Sequence, residues 1–131
     1  MNRLSARVVG LVLVALVATA IAGCGGSVGS AVQEVDAAKA VGMLDSRIVI
    51  VVRTPAQYAA GHIAGAQNID VEAADFGARI TSLDKKAPYL VYCHSGRRSA
   101  IAASQMAATG FTDIVDGGAM ADLVAAGAPT Q

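Results

Sequence analysis

The chain is predicted to be an α/β protein with a central, mostly parallel sheet and helices on both faces. Three observations predict it. Short β-branched runs alternate along the chain with alanine-rich stretches of helical character. Ile48 to Val52 contains no polar residue, which suits a strand buried on both faces. Cys93 stands where another apolar run gives way to a helix, and ligands in such sheets bind beyond the strand C-termini.

Taken in order, the chain begins with Arg3 and Arg7, continues through an almost wholly apolar Val8 to Ile21, and reaches Ala22-Gly23-Cys24-Gly25-Gly26-Ser27. That charge, length and small-residue boundary predict a secretory signal over residues 1–23. The apolar stretch is short for a bilayer span of ~20 residues. Ile21-Ala22-Gly23-Cys24 also resembles a bacterial lipoprotein box, which implies cleavage before Cys24 and lipid on its sulfur, hence a protein tethered to the extracytoplasmic side of the cell membrane. Residues 24–31, rich in glycine and serine, then form a flexible spacer. Residues 32–131 have the length of one domain.

Within that domain Val32 to Val35 reads as a first strand, and Asp36 as the N-cap of a helix from Ala37 to Leu44. Ile48 to Val52 is the second strand. Pro55 opens the next helix, where its missing N–H costs nothing. Gln67 to Ile69, Ala87 to Tyr92 and Ile114 to Val115 complete the strands, and Ser99 to Ala108 is a helix.

The chemistry concentrates in Cys93-His94-Ser95-Gly96-Arg97-Arg98-Ser99. A helix start leaves backbone N–H groups without partners and carries partial positive charge, so it attracts anions. A free cysteine has a pKa near 8.5, and such surroundings lower it to ~3.5–7.5; Cys93 is therefore expected to be substantially thiolate at neutral pH. Gly96 permits left-handed backbone angles and a close approach to a bound group. A packing role for Cys93 would require neither the glycine nor the two arginines.

This run resembles the active-site loop of single-domain rhodaneses, sulfurtransferases whose loop cysteine carries a persulfide. Two further blocks agree in order and spacing. Val49 to Ala66, with Arg53 and Gly61-His62-Ile63-Ala64-Gly65-Ala66, is similar to the family's strand, arginine, helix and Gly-His-Ile-x-Gly-Ala sequence; Gly110 to Gly118 is similar to its last strand and Gly-Gly turn. The resemblance implies a rhodanese-like fold and a double displacement. Cys93 takes the outer sulfur of thiosulfate or a related anionic donor and passes it to a thiol or cyanide. His94, Ser95, Gly96, Arg97, Arg98 and Arg53 are the implied substrate-binding residues. In phosphatases of the Cys-x5-Arg type the closing arginine would fall at Ser99; here Arg98 comes one residue earlier, giving the tighter loop that the rhodanese resemblance implies.

Two positions depart from the family pattern. Val51 stands where an acid usually precedes the arginine, so Arg53 is left to another acid or to solvent. No tryptophan follows the Gly-Gly turn; Asp122 and Leu123 occupy that neighbourhood. His62 is expected to be a hydrogen-bonded turn residue. Two histidines and two distant cysteines have no metal-ligand spacing, and no cofactor motif is visible. Ten basic and ten acidic residues give no net charge, and nothing points to nucleic acid. The alternative to sulfur transfer is a non-enzymatic binding or thiol redox-sensing module at the cell envelope. No protein partner is indicated.

Overall fold

The structure, a computed structural model, describes residues 30–131. The predicted signal and lipidation segment, Cys24 included, lies outside the described residues. The elements are β1 (Val32–Glu34), α1 (Ala37–Val41), β2 (Ile48–Val51), α2 (Pro55–Ala60), β3 (Gln67–Asn68), α3 (Phe76–Thr81), β4 (Tyr89–Cys93), α4 (Arg97–Ala108), β5 (Ile114–Ala119) and α5 (Met120–Ala125). The five strands lie in the order β1-β5-β4-β2-β3 and every pairing is parallel. β4 is therefore the central strand, all five of its residues buried.

Alternation along the strands divides the core in two. Ile50, Val52, Val91, Cys93 and Ile114 face α3 and α4 and pack with Phe76, Ile80, Ala102, Ala103 and Met106. Val49, Val51, Leu90, Tyr92 and Val115 face the other way, against Ala40 of α1 and Leu123 of α5. Period-two burial with both faces apolar is what a covered parallel sheet requires. Leu123, fully buried, anchors the last helix, so no tryptophan is needed there. Ala102 and Ala103 let α4 lie close to the sheet.

Local chemistry accounts for the element boundaries. Asp36 caps α1 by accepting the Lys39 N–H at 2.8 Å. α1 stops at Val41, short of the expected Leu44, because Gly42 closes it, and Leu44–Ser46 forms a separate 3₁₀ turn. Thr54 and Gln57 make a reciprocal capping box on α2, with Pro55 in the first turn. β4 begins at Tyr89, since Pro88 has no N–H to give the ladder; its carbonyl accepts the Ile48 N–H at 2.9 Å. α4 starts two residues earlier than expected, at Arg97, and β5 runs four residues further.

The extra length of β5 contains a bulge. Val91 pairs with Asp116 but Tyr92 pairs with Gly118, so Gly117 is an added residue on β5. The Gly118 N–H donates to Asp116 Oδ1 at 3.0 Å, holding the kink. A Cβ on Gly117 would sit 2.9 Å from Leu90 Cδ2, inside the core. The bulge lies one register step from Cys93, which pairs with Ala119.

Candidate active site

Cys93 is the last residue of β4 and Arg97 the first of α4, so the three residues between them form a tight turn. Gly96 adopts a left-handed conformation, φ 87°, and turns its N–H back onto Cys93 Sγ at 2.9 Å. A residue with Cβ is strained at that angle. Ser99, fully buried, donates its hydroxyl to the Gly96 carbonyl at 3.0 Å and pins the far end of the turn. Cys93 is 0% exposed. The sulfur thus lies beneath its own loop.

Beside the loop is an open pocket of about 400 Å³ lined by Gln57, Glu72, His94, Ser95, Arg97, Arg98 and Ile101; Cys93 itself does not line it. His94, Ser95 and Arg97 are exposed. Arg97 and Arg98 occupy the first turn of α4, the wrong end of the helix for cations, where each costs about 0.3–1 kcal/mol against the macrodipole. Two such residues side by side work against α4 unless something negative is held there. For Arg98 that partner is intramolecular: its Nη2 lies 3.0 Å from Glu72 Oε2, and its Nη1 donates to Gln57 Oε1 at 3.3 Å. Arg97 forms no ion pair among the described residues.

The structure brings His94, Ser95, Arg97 and Arg98 together in one pocket, sets the Gly96 N–H on Cys93 Sγ, and leaves Arg53 out of that pocket. Arg53 follows β2, and its Nη1 donates to the Gly61 carbonyl at 3.3 Å and approaches Met120 Sδ at 3.6 Å. Its Nε is buried without a partner, and among the described residues no carboxylate pairs with it. It does not line the pocket. Nearby, Tyr92 points away from Cys93 and accepts the Ile63 N–H at 2.8 Å; burial pushes its phenol above the usual tyrosine range, chiefly by desolvation. His62 is a turn residue: its Nδ1 lies 3.0 Å from the Tyr58 carbonyl and its ring stacks on Tyr58.

Gln57 and Glu72 were not expected at this site. Gln57 is also a capping residue of α2, its Oε1 accepting the Thr54 N–H. Glu72 lies in a connection with no periodic pattern, held by the Glu72 N–H donating to Asp70 Oδ1 at 2.9 Å. Neither carries a local signal that it reaches the Cys93 loop. Among the described residues no group of three or more His, Cys, Asp and Glu side chains could hold a metal ion.

The chain is similar to known proteins in sequence and in fold. Residues 31–121 match the rhodanese-like domain family. The chain is 43% identical over 74 residues to the thiosulfate sulfurtransferase GlpE of Pseudomonas fluorescens, covering 54% of this chain and 65% of that protein. It is 42% identical over 77 residues to that of Pseudomonas putida, covering 56% and 67%. The chain thus spans about two thirds of the length of these relatives. Among solved structures, a rhodanese-like domain from Anabaena superimposes with a TM-score of 0.66 at 27% identity, covering 75% of this chain and 77% of that one. An Escherichia coli structure described as rhodanese with anions gives 0.56 at 29%, covering 65% and 96%.

Proposed function

Because the chain belongs to the rhodanese-like domain family, we propose that it is a sulfurtransferase that carries sulfane sulfur on Cys93. The observation that carries the reading is the Gly96 N–H directed at Cys93 Sγ at the N-terminus of α4, in a loop whose His94 and Ser95 line a pocket together with Arg97. A backbone amide at a helix N-terminus, aimed at one sulfur, stabilises negative charge on it, whether thiolate or persulfide. The Cys93 thiolate attacks the outer sulfur of a donor such as thiosulfate. A new sulfur–sulfur bond forms, the bond to the sulfonyl sulfur breaks, and sulfite leaves. An acceptor thiolate or cyanide then takes the outer sulfur and restores the thiolate, as in ordinary covalent catalysis. His94, Ser95 and Arg97 line the adjoining pocket, and since Cys93 is fully buried, this reaction requires the loop to open for the donor. The likeness to a rhodanese structure described with anions, and to proteins named thiosulfate sulfurtransferase, supports an anionic donor.

Mass spectrometry of the reduced chain after thiosulfate treatment tests this. The expected result is a gain of one sulfur atom that cyanide or a thiol removes and that Cys93→Ala never shows. A folded chain that gains nothing overturns it. Full burial of Cys93 favours a second reading, a binding module with a sequestered thiol; failure of iodoacetamide to alkylate Cys93 in the folded protein is its signature.

The same reading includes an address. Cys24 carries lipid after removal of residues 1–23, and residues 24–31 tether the domain to the outer side of the cell membrane. Arg3, Arg7, the apolar stretch to Ile21 and the box before Cys24 support it. Among the described residues no helix is long and apolar enough to cross a membrane.

A further inference from the structure

We propose that Glu72 is a specificity-determining residue: its carboxylate occupies the anion-binding edge of Arg98, and the site thereby discriminates against doubly charged donors. Both terminal nitrogens of Arg98 are already engaged, Nη2 by Glu72 at 3.0 Å and Nη1 by Gln57 at 3.3 Å. All three residues line the pocket that His94 and Ser95 of the Cys93 loop also line. An anion approaching Arg98 must therefore displace Glu72 or share the guanidinium with it. It also meets the negative charge of Glu72, whose side chain is 58% exposed and so presents that charge to the pocket as well as to Arg98. Gln57 adds no charge. Of the two cations in the first turn of α4, Arg98 is already paired within the chain, whereas Arg97 forms no ion pair among the described residues.

The repulsion scales with ligand charge, so it weighs more on a dianion than on a monoanion. Thiosulfate and methanethiosulfonate make a matched pair. Both carry a terminal sulfur on a sulfonyl group; attack by the Cys93 thiolate releases sulfite, a dianion, from the first and methanesulfinate, a monoanion, from the second. The choice of donors rests on the sulfur-transfer reading, whereas the competition for Arg98 does not.

Two measurements on the full-length chain keep these apart. The first titrates sulfate, which has no sulfur to transfer, against wild type, Glu72→Gln, Glu72→Asp and the double variant Glu72→Gln/Arg98→Gln. Glu72→Gln is expected to bind sulfate about three- to fivefold more tightly, the range a surface ion pair commands. Glu72→Asp, which keeps the charge, stays within about twofold of wild type, the double variant loses the gain, and ~0.5 M salt shrinks all differences. The second compares loading of Cys93 by the two donors: the rate with thiosulfate relative to methanethiosulfonate rises about threefold or more in Glu72→Gln. Equal or weaker sulfate binding in Glu72→Gln overturns the proposal, because Glu72 would then only hold Arg98 in place. If neither donor loads any variant, the sulfur-transfer reading fails and the sulfate titration still decides the role of Glu72.

Discussion

At the scale of single residues, the site rests on one backbone angle. Gly96 holds φ 87° so that its N–H reaches Cys93 Sγ, and a Cβ there would touch the backbone of Gly118 and Ala119 at 3.5–3.6 Å. These contacts are ordinary, so the cost of Gly96→Ala is conformational, about 1–2 kcal/mol. Thiosulfate loading of Cys93 is expected to fall about tenfold or more, with melting lowered by a few degrees; loading at the wild-type rate would show that this amide does not support the sulfur. Arg53 is the opposite case. It contacts Gly61 and Met120 outside the pocket, so Arg53→Ala is expected to lower stability by about 1 kcal/mol with little change in turnover. Unchanged melting with lost activity would place Arg53 in catalysis. Its type was legible from sequence, but its surroundings were not, because a missing acid at Val51 does not say what replaces it.

At the scale of elements, a strong local signal predicted structure well and a weak one did not. β2 was legible from its unbroken β-branched run, and the N-termini of α1 and α2 from Asp36 and Pro55, whereas the Thr54 cap of α2 was not anticipated. α3 escaped notice because Gly77 interrupts it and only Phe76 and Ile80 mark its buried face. The length of β5 escaped because glycines normally end a strand, whereas here Gly117 is a bulge fitted against Leu90. Tyr92 on β4 links the site strand to the Gly61 turn through the Ile63 N–H. Tyr92→Phe leaves that buried N–H unpaired and is expected to cost about 1–3 kcal/mol near neutral pH. Tyr92 also carries a pH dependence. Its phenol is raised in the folded state, so the unfolded chain releases the proton first; stability is unaffected below the ordinary tyrosine value of 10.0 and falls as pH rises above it. The alkaline fall in melting temperature should be shallower in Tyr92→Phe, leaving the share of Tyr89, which burial also raises. Parallel profiles would count against this assignment.

At the scale of the whole molecule, the proposed anchor predicts that Cys24→Ala abolishes incorporation of radiolabelled palmitate and releases the protein from the membrane fraction, while the sulfur loading of Cys93 persists; labelling retained in Cys24→Ala would refute lipidation at that sulfur. The sequence by itself determined the covered parallel sheet, the strand that presents Cys93 and the tight glycine turn that follows it. These follow from local features, since hydrophobic period, capping and backbone freedom each act within a few residues. Only the tertiary structure decided the charge seen by a ligand. Gln57, Glu72 and Arg98 are far apart in the chain, and their meeting depends on how α2, α4 and the connection after β3 pack around the sheet. Two adjacent arginines read as two anion-binding cations along the chain; in the fold one of them is already occupied, because ion pairing is decided by distance in space.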